Sequence, residues 1–200
     1  VVSTPETNPH QAALFGKVWL RGTRFATEET IEAGFDQGIF VDLLPYDALS
    51  SDPATAAKQR RDCRFWQSVS YLSHAKSIVV PHKGALGAIE RAACGAAHLA
   101  ARGLYSPEKI VSRFNKAATC GNDPSLASDD LVVMAYATYE PYARSMMLPT
   151  STVTFEGCEL PAPADPEAFL RQLYGEWQKL PPVEARRNHA PVELDFGPYA

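Results

Sequence analysis

Apolar and polar positions divide the chain into short strand-like runs at both ends and a long helical middle. Residues 14–25 (LFGKVWLRGTRF) set Phe15, Lys17, Trp19 and Arg21 against Leu14, Gly16, Val18 and Leu20. That period of about two predicts a strand, with a bulge at Gly22. Residues 38–45 (GIFVDLLP) form an apolar run broken only by Asp42 and closed by a proline, the pattern of a buried strand. Its alternation puts Phe40, Asp42 and Leu44 on one face and Ile39, Val41 and Leu43 on the other. Asp52-Pro53 supplies an N-cap and first-turn pair for a helix reaching about residue 76, with Phe65, Val69 and Leu72 at helical spacing. Residues 84–102, rich in alanine with small residues on several faces, predict a closely packed helix stopped by Gly103. Ser106-Pro107-Glu108 starts another helix, running to about residue 119. Residues 131–139 and 152–161 read as strands, the latter a hairpin turning at Glu156-Gly157. Asp165-Pro166-Glu167 caps a last helix whose Phe169, Leu173 and Trp177 form one stripe, and a Pro-rich tail covers residues 180–200. With no internal repeat or linker, residues 1–200 are expected to form one α+β domain.

Composition narrows the function classes. Lys and Arg number 19 against 23 Asp and Glu, a formal charge of -4, which is the wrong sign for a phosphate-backbone binder, so nucleic acid is not expected as a partner. No stretch free of Asp, Glu, Lys and Arg exceeds 11 residues, so no transmembrane segment is expected. The start, VVSTPE, lacks the basic and apolar regions of a secretory signal, and the expected location is cytoplasmic. Cys63, Cys94, Cys120 and Cys158 contain no C-x-x-C pair and read as buried free thiols. The five histidines are scattered without zinc-ligand spacing.

Three places carry candidate chemistry. Asp42, inside an apolar strand, needs a cation or metal beside it, because an unpaired buried carboxylate is costly. A salt bridge to a nearby basic residue is the plainer reading from spacing alone. Asp47 follows a Pro-Tyr turn, where an Asx-turn or cap role is the simplest reading. In the tail, Arg186, Arg187 and His189 follow Pro181-Pro182; such a cluster suits a phosphate, since Arg donates in a fork and His transfers protons near neutral pH. Ser73-His74-Ala75-Lys76 matches S-x-x-K, but neither S-D-N nor K-T-G accompanies it.

Two separated segments carry a family resemblance. GIFVDLLPYD (38–47), and FEG (155–157) through LYGEW (173–177) followed by Leu180-Pro181-Pro182, closely resemble the LicD family of phosphocholine transferases in order and spacing. Residues 15–25 look like the strand preceding the first motif, with Lys17 and Thr23 in matching places and Trp19 departing from the charged residue usual there. The resemblance implies a partial nucleotidyltransferase-like mixed sheet with several packed helices. It also implies transfer of phosphocholine, or a related phospho-substituent, from a CDP-linked donor such as CDP-choline to a sugar hydroxyl of a cell-surface glycan. Magnesium would be held by carboxylates, Asp42 among them as metal ligand or general base, with Lys17, Thr23, Asp47, Arg187 and His189 contacting substrate. The family's glycine turn and Asp-x-Asp lie upstream of the first segment, so the chain resembles the downstream part of such an enzyme and alone is expected to be inactive. The rival reading is a non-catalytic glycan-binding or scaffold remnant of the same fold. Trp19, Trp66, Tyr174 and Trp177 are candidates for an aromatic cage around a quaternary ammonium, although aromatics at helical spacing more often belong to a core.

Overall fold

A computed structural model describes residues 1–74, 82–136, 138–186 and 191–200. The chain opens with β1 (Val2–Ser3), β2 (Gly16–Trp19), β3 (Arg24–Ala26), α1 (Glu28–Ala33), β4 (Phe40–Leu43) and β5 (Asp47–Ser50). A helical block follows: α2 (Pro53–His74), α3 (Gly84–Leu104) and α4 (Pro107–Ala118). The remainder is β6 (Ala127–Val132), β7 (Tyr142–Ala143), α5 (Arg144–Met147), β8 (Ser151–Phe155), β9 (Cys158–Ala162), α6 (Pro166–Tyr174) and β10 (Glu193–Asp195). The α+β class therefore holds.

Every strand pairing among the described residues is antiparallel, in four small sheets ordered β1-β2-β4, β10-β3, β5-β6-β7 and β8-β9. The expected mixed sheet is absent from the described residues. Parallel neighbours need strands alternating with crossover helices, whereas here α2, α3 and α4 follow one another with no strand between them among the described residues.

The core forms where this helical block meets the β5-β6 ladder. From α2, Cys63 and Val69 face Ile110, Val111 and Phe114 of α4, and Leu49, Val132, Val133 and Met134 close the other side. Gln59 of α2 ties the layers: its amide nitrogen donates to the carbonyls of Ala48 and Ala118, and its oxygen accepts from the Ser50 amide.

Most predicted elements form, with corrections. The strand predicted over 14–25 is two, β2 and β3, because Gly22 adopts φ 81° and makes a turn instead of a bulge. The run at 38–45 is half-buried on one face of β4, at Phe40 and Asp42, while Val41 on the other is 68 % exposed. On α2 the inward stripe is Gln59, Cys63 and Val69, and Phe65 lies outside. Helix α3 touches the body along one side only, leaving Leu86, Ile89 and Leu99 exposed, and it runs past Gly103 to Leu104. The strand predicted over 131–139 begins earlier, at Ala127, and gives way after Val132 to a 3-10 turn at Met134–Tyr136, buried at Met134 and Ala135. The 152–161 hairpin forms as expected, Phe155 opposite Cys158 across Glu156-Gly157 at φ 50° and 76°. Helix α6 starts at the Asp165 cap and ends at Tyr174, so Trp177 stands beyond it. The tail returns along β3, with Glu193 beside Arg24, while Val192, Leu194 and Phe196 stay half exposed. Backbone pairing, not apolar alternation, docks it.

Candidate functional site

Asp42 sits on β4 directly opposite Lys17 on β2. Cross-strand partners on one face of a sheet point the same way, so the two side chains meet. Lys17 Nζ donates to Asp42 Oδ1 at 2.8 Å, with 10 % and 29 % of the respective side chains exposed. The ammonium also lies 3.6 Å from the centre of the Phe40 ring and 5.4 Å from that of Phe15. Desolvation is thus compensated twice, by an opposite charge and by aromatic quadrupoles.

The pair lies in the wall of a cleft of about 200 Å³ between the first sheet, α1 and the end of α2. Phe15, Phe25, Phe35, Phe40, Tyr71 and Tyr136 supply its apolar lining. Its polar rim includes His10 and His74, whose ring nitrogens engage the Ala33 and Pro9 carbonyls at 2.9 Å each. Two glutamines lie deeper. Gln11 is fully used: its oxygen accepts from Ser3 Oγ, and its nitrogen donates to the Ala13 and Phe15 carbonyls. Gln37 is 5 % exposed, and its side-chain oxygen has no partner among the described residues.

No family model, curated protein or solved structure matches this chain. The site therefore stands on its own geometry.

That geometry unites Asp42 with Lys17 and separates the rest of the expected set. Thr23 braces a turn, donating to the Leu20 carbonyl and accepting from the Ile39 amide, away from the cleft lining. Asp47, expected at a turn and as a substrate contact, is a buried strand residue of β5, accepting from Asn122 Nδ2 at 2.8 Å. Burial raises its carboxyl above the ordinary aspartate range, and the Asn122 hydrogen bond partly offsets this. Arg187 and His189 lie outside the described residues, as does Lys76 of the S-x-x-K match. Neighbouring Arg186 donates to the Pro181 carbonyl at 2.9 Å. Of the four candidate cage aromatics, Trp19 meets Phe35 edge-on and Trp66 packs on Phe65 and Tyr105, while Tyr174 and Trp177 are exposed.

Sequence reasoning missed Gln37, His10 and Tyr71 as cleft residues, because no spacing connects them to Asp42. As a magnesium ligand set the described residues are incomplete: no group of three or more His, Cys, Asp or Glu converges among them. Asp42 and Glu29 are the carboxylates of the cleft lining.

Proposed function

We propose that the chain is part of a LicD-like phosphotransferase with a partly nucleotidyltransferase-like fold. It would move phosphocholine, or a related phospho-substituent, from a CDP-linked donor to a sugar hydroxyl of a cell-surface glycan. One observation carries the reading. Lys17 and Asp42, singled out by the resemblance from segments 25 residues apart, form a part-buried pair at the wall of a cleft.

The pair suits an in-line phosphoryl transfer. Lys17 shifts its ammonium from Asp42 to the donor phosphate, and the carboxylate freed in this way accepts the proton of the attacking hydroxyl. The acceptor oxygen bonds to the phosphorus bearing choline, the bond from that phosphorus to the bridging oxygen breaks, and CMP leaves with the pyrophosphate negative charge. Where Asp42 instead serves as a magnesium ligand, the metal would supply the neutralisation of that developing charge.

The test is CMP release by the complete reading frame given CDP-choline and a glycan acceptor. Asp42→Asn is expected to lower kcat about 100-fold or more, the usual scale for losing a general base. The present 200-residue chain alone is expected to bind CDP-choline weakly or not at all. Wild-type turnover by the variant removes Asp42 from the chemistry. Glycan binding without CMP release by either protein favours the scaffold reading, which draws on Lys17 already neutralising the carboxylate.

A further inference from the structure

We infer that the outward side of α3, together with the cations of α2 and α4 that adjoin its end, docks on the surface of a bilayer carrying anionic lipid. The inference goes beyond the phosphotransferase reading and does not depend on it.

Helix α3 has its apolar side turned to water. Its buried residues are Gly87, His98 and Ala101. Leu86, Ile89, Ala93, Ala96 and Ala100 stand three or four positions apart, so they share one side of the helix, and all are exposed. Leu86 and Ile89 are more than half exposed, as is Leu104 at the C-terminal end. The acidic residue of α3, Glu90, accepts from His82 Nδ1 at 2.6 Å, while Arg91 and Arg102 are exposed. Beyond Leu104 the surface becomes cationic. Tyr105 meets Trp66 of α2 edge-on, Trp66 packs on Phe65, and Lys109 Nζ of α4 lies 5.2 Å from the Tyr105 ring centre, so the three helices come together here. On their exposed sides α2 carries Lys58, Arg61 and Arg64, and α4 carries Lys109, Arg113 and Lys116. The acids of these two helices are Asp62, which pairs with Lys58, and Glu108. Phe65 is half exposed beside them.

Three kinds of partner cover some of this surface, and one covers all of it. A second copy using the same patch sets the cations against their own like charges. A soluble polyanion satisfies the cations and leaves the apolar side of α3 in water. An anionic bilayer meets both needs, with an acyl boundary for Leu86, Ile89, Leu104 and Phe65 and phosphates for the Lys and Arg side chains. The chain's formal charge of -4 opposes such docking, but exposed charges are screened beyond about 8 Å at physiological ionic strength, so the local cations decide. Among the described residues no helix is long and apolar enough to cross a membrane, so the contact is interfacial.

Co-sedimentation of the 200-residue chain with phosphatidylcholine vesicles, with and without about 30 % phosphatidylglycerol, tests the inference. Binding to the anionic vesicles is expected to be at least about 10-fold tighter than to the neutral ones, and to lose that preference at about 1 M salt. The triple variant Lys109→Gln, Arg113→Gln and Lys116→Gln should bind anionic vesicles about 100-fold more weakly, at about 5-fold per cation. The double variant Leu86→Ser and Ile89→Ser should lose about 10-fold or more through its smaller apolar area. Both variants should keep the wild-type Tm, because the five side chains are already exposed. Equal binding to the two kinds of vesicle overturns the inference, as does wild-type binding by the triple variant. Vesicle binding that needs the cations but not Leu86 and Ile89 assigns the face to a polyanion and also overturns it. So does a chain that ignores vesicles and sediments as a dimer in analytical ultracentrifugation, with the double variant monomeric, since the face then belongs to a second copy.

Discussion

Residues here divide by whether their polar atoms are satisfied within the protein. Gln11 and Gln59 are buried amides whose hydrogen bonds run to backbone and to Ser3, so they serve the fold. Asp47 belongs with them and shows the cost of that role. Burial makes its proton harder to remove in the folded chain than in the unfolded one. A native pKa above the unfolded value means that the folded state holds the proton more tightly. The associated stability is then full below the unfolded pKa and is lost as pH rises through the native one. Asp47→Asn keeps an oxygen for Asn122 and carries no charge to desolvate. The expected result is a Tm difference, variant minus wild type, that grows as pH is raised through the acid range and levels off above the native pKa. Thermal melts at several pH values check it, and a difference independent of pH would show that burial does not perturb this carboxyl.

At the scale of elements, helix propensity and close approach act in opposite directions on glycine. Gly103 lies inside α3 with nothing within 4 Å of an added Cβ, so Gly103→Ala should stabilise the chain by about 0.5–1 kcal/mol. Gly121 follows α4, where an added Cβ would stand 2.3 Å from the Ala48 carbonyl oxygen. That oxygen belongs to the β5 backbone and cannot rotate aside. Gly121→Ala should therefore cost about 1–3 kcal/mol. Urea unfolding of the two variants separates the effects, and equal midpoints would contradict the close approach of α4 to β5.

Over the whole molecule, α2, α4 and β5-β6 form the cooperative centre, while α3 and the β8-β9 hairpin project from it with exposed faces. The cysteines report on this gradient. Cys63 is wholly buried, and burial pushes its thiol up to about 12, whereas Cys158 is on the hairpin and exposed. Iodoacetamide should label Cys158 in the native state and reach Cys63 only when the core opens. Mass spectrometry of a labelling time course checks this order; equal rates at the two positions would place Cys63 outside a stable core. The expectation of four buried thiols thus holds for one end of the gradient only, since Cys120 is also exposed.

Local chemistry alone determined much of this protein. The Asp52-Pro53, Ser106-Pro107 and Asp165-Pro166 starts all open helices, and the Glu156-Gly157 turn closes a hairpin, because caps and positive-φ turns are satisfied within a few residues. The alternation at Phe40, Asp42 and Leu44 likewise named the inward face of β4, since side chains alternate whatever the strand packs against. What lies beyond that face was decided by tertiary structure. Lys17 as the partner of Asp42 depends on the register of β2 against β4, and the exposure of Val41 depends on no described layer covering that side. The cleft needs α1, the end of α2 and three strands to converge, and the unpaired oxygen of Gln37 exists only once they have. Desolvation and cross-strand contact are properties of residues brought together from distant positions, and no periodicity along the chain encodes which ones will meet.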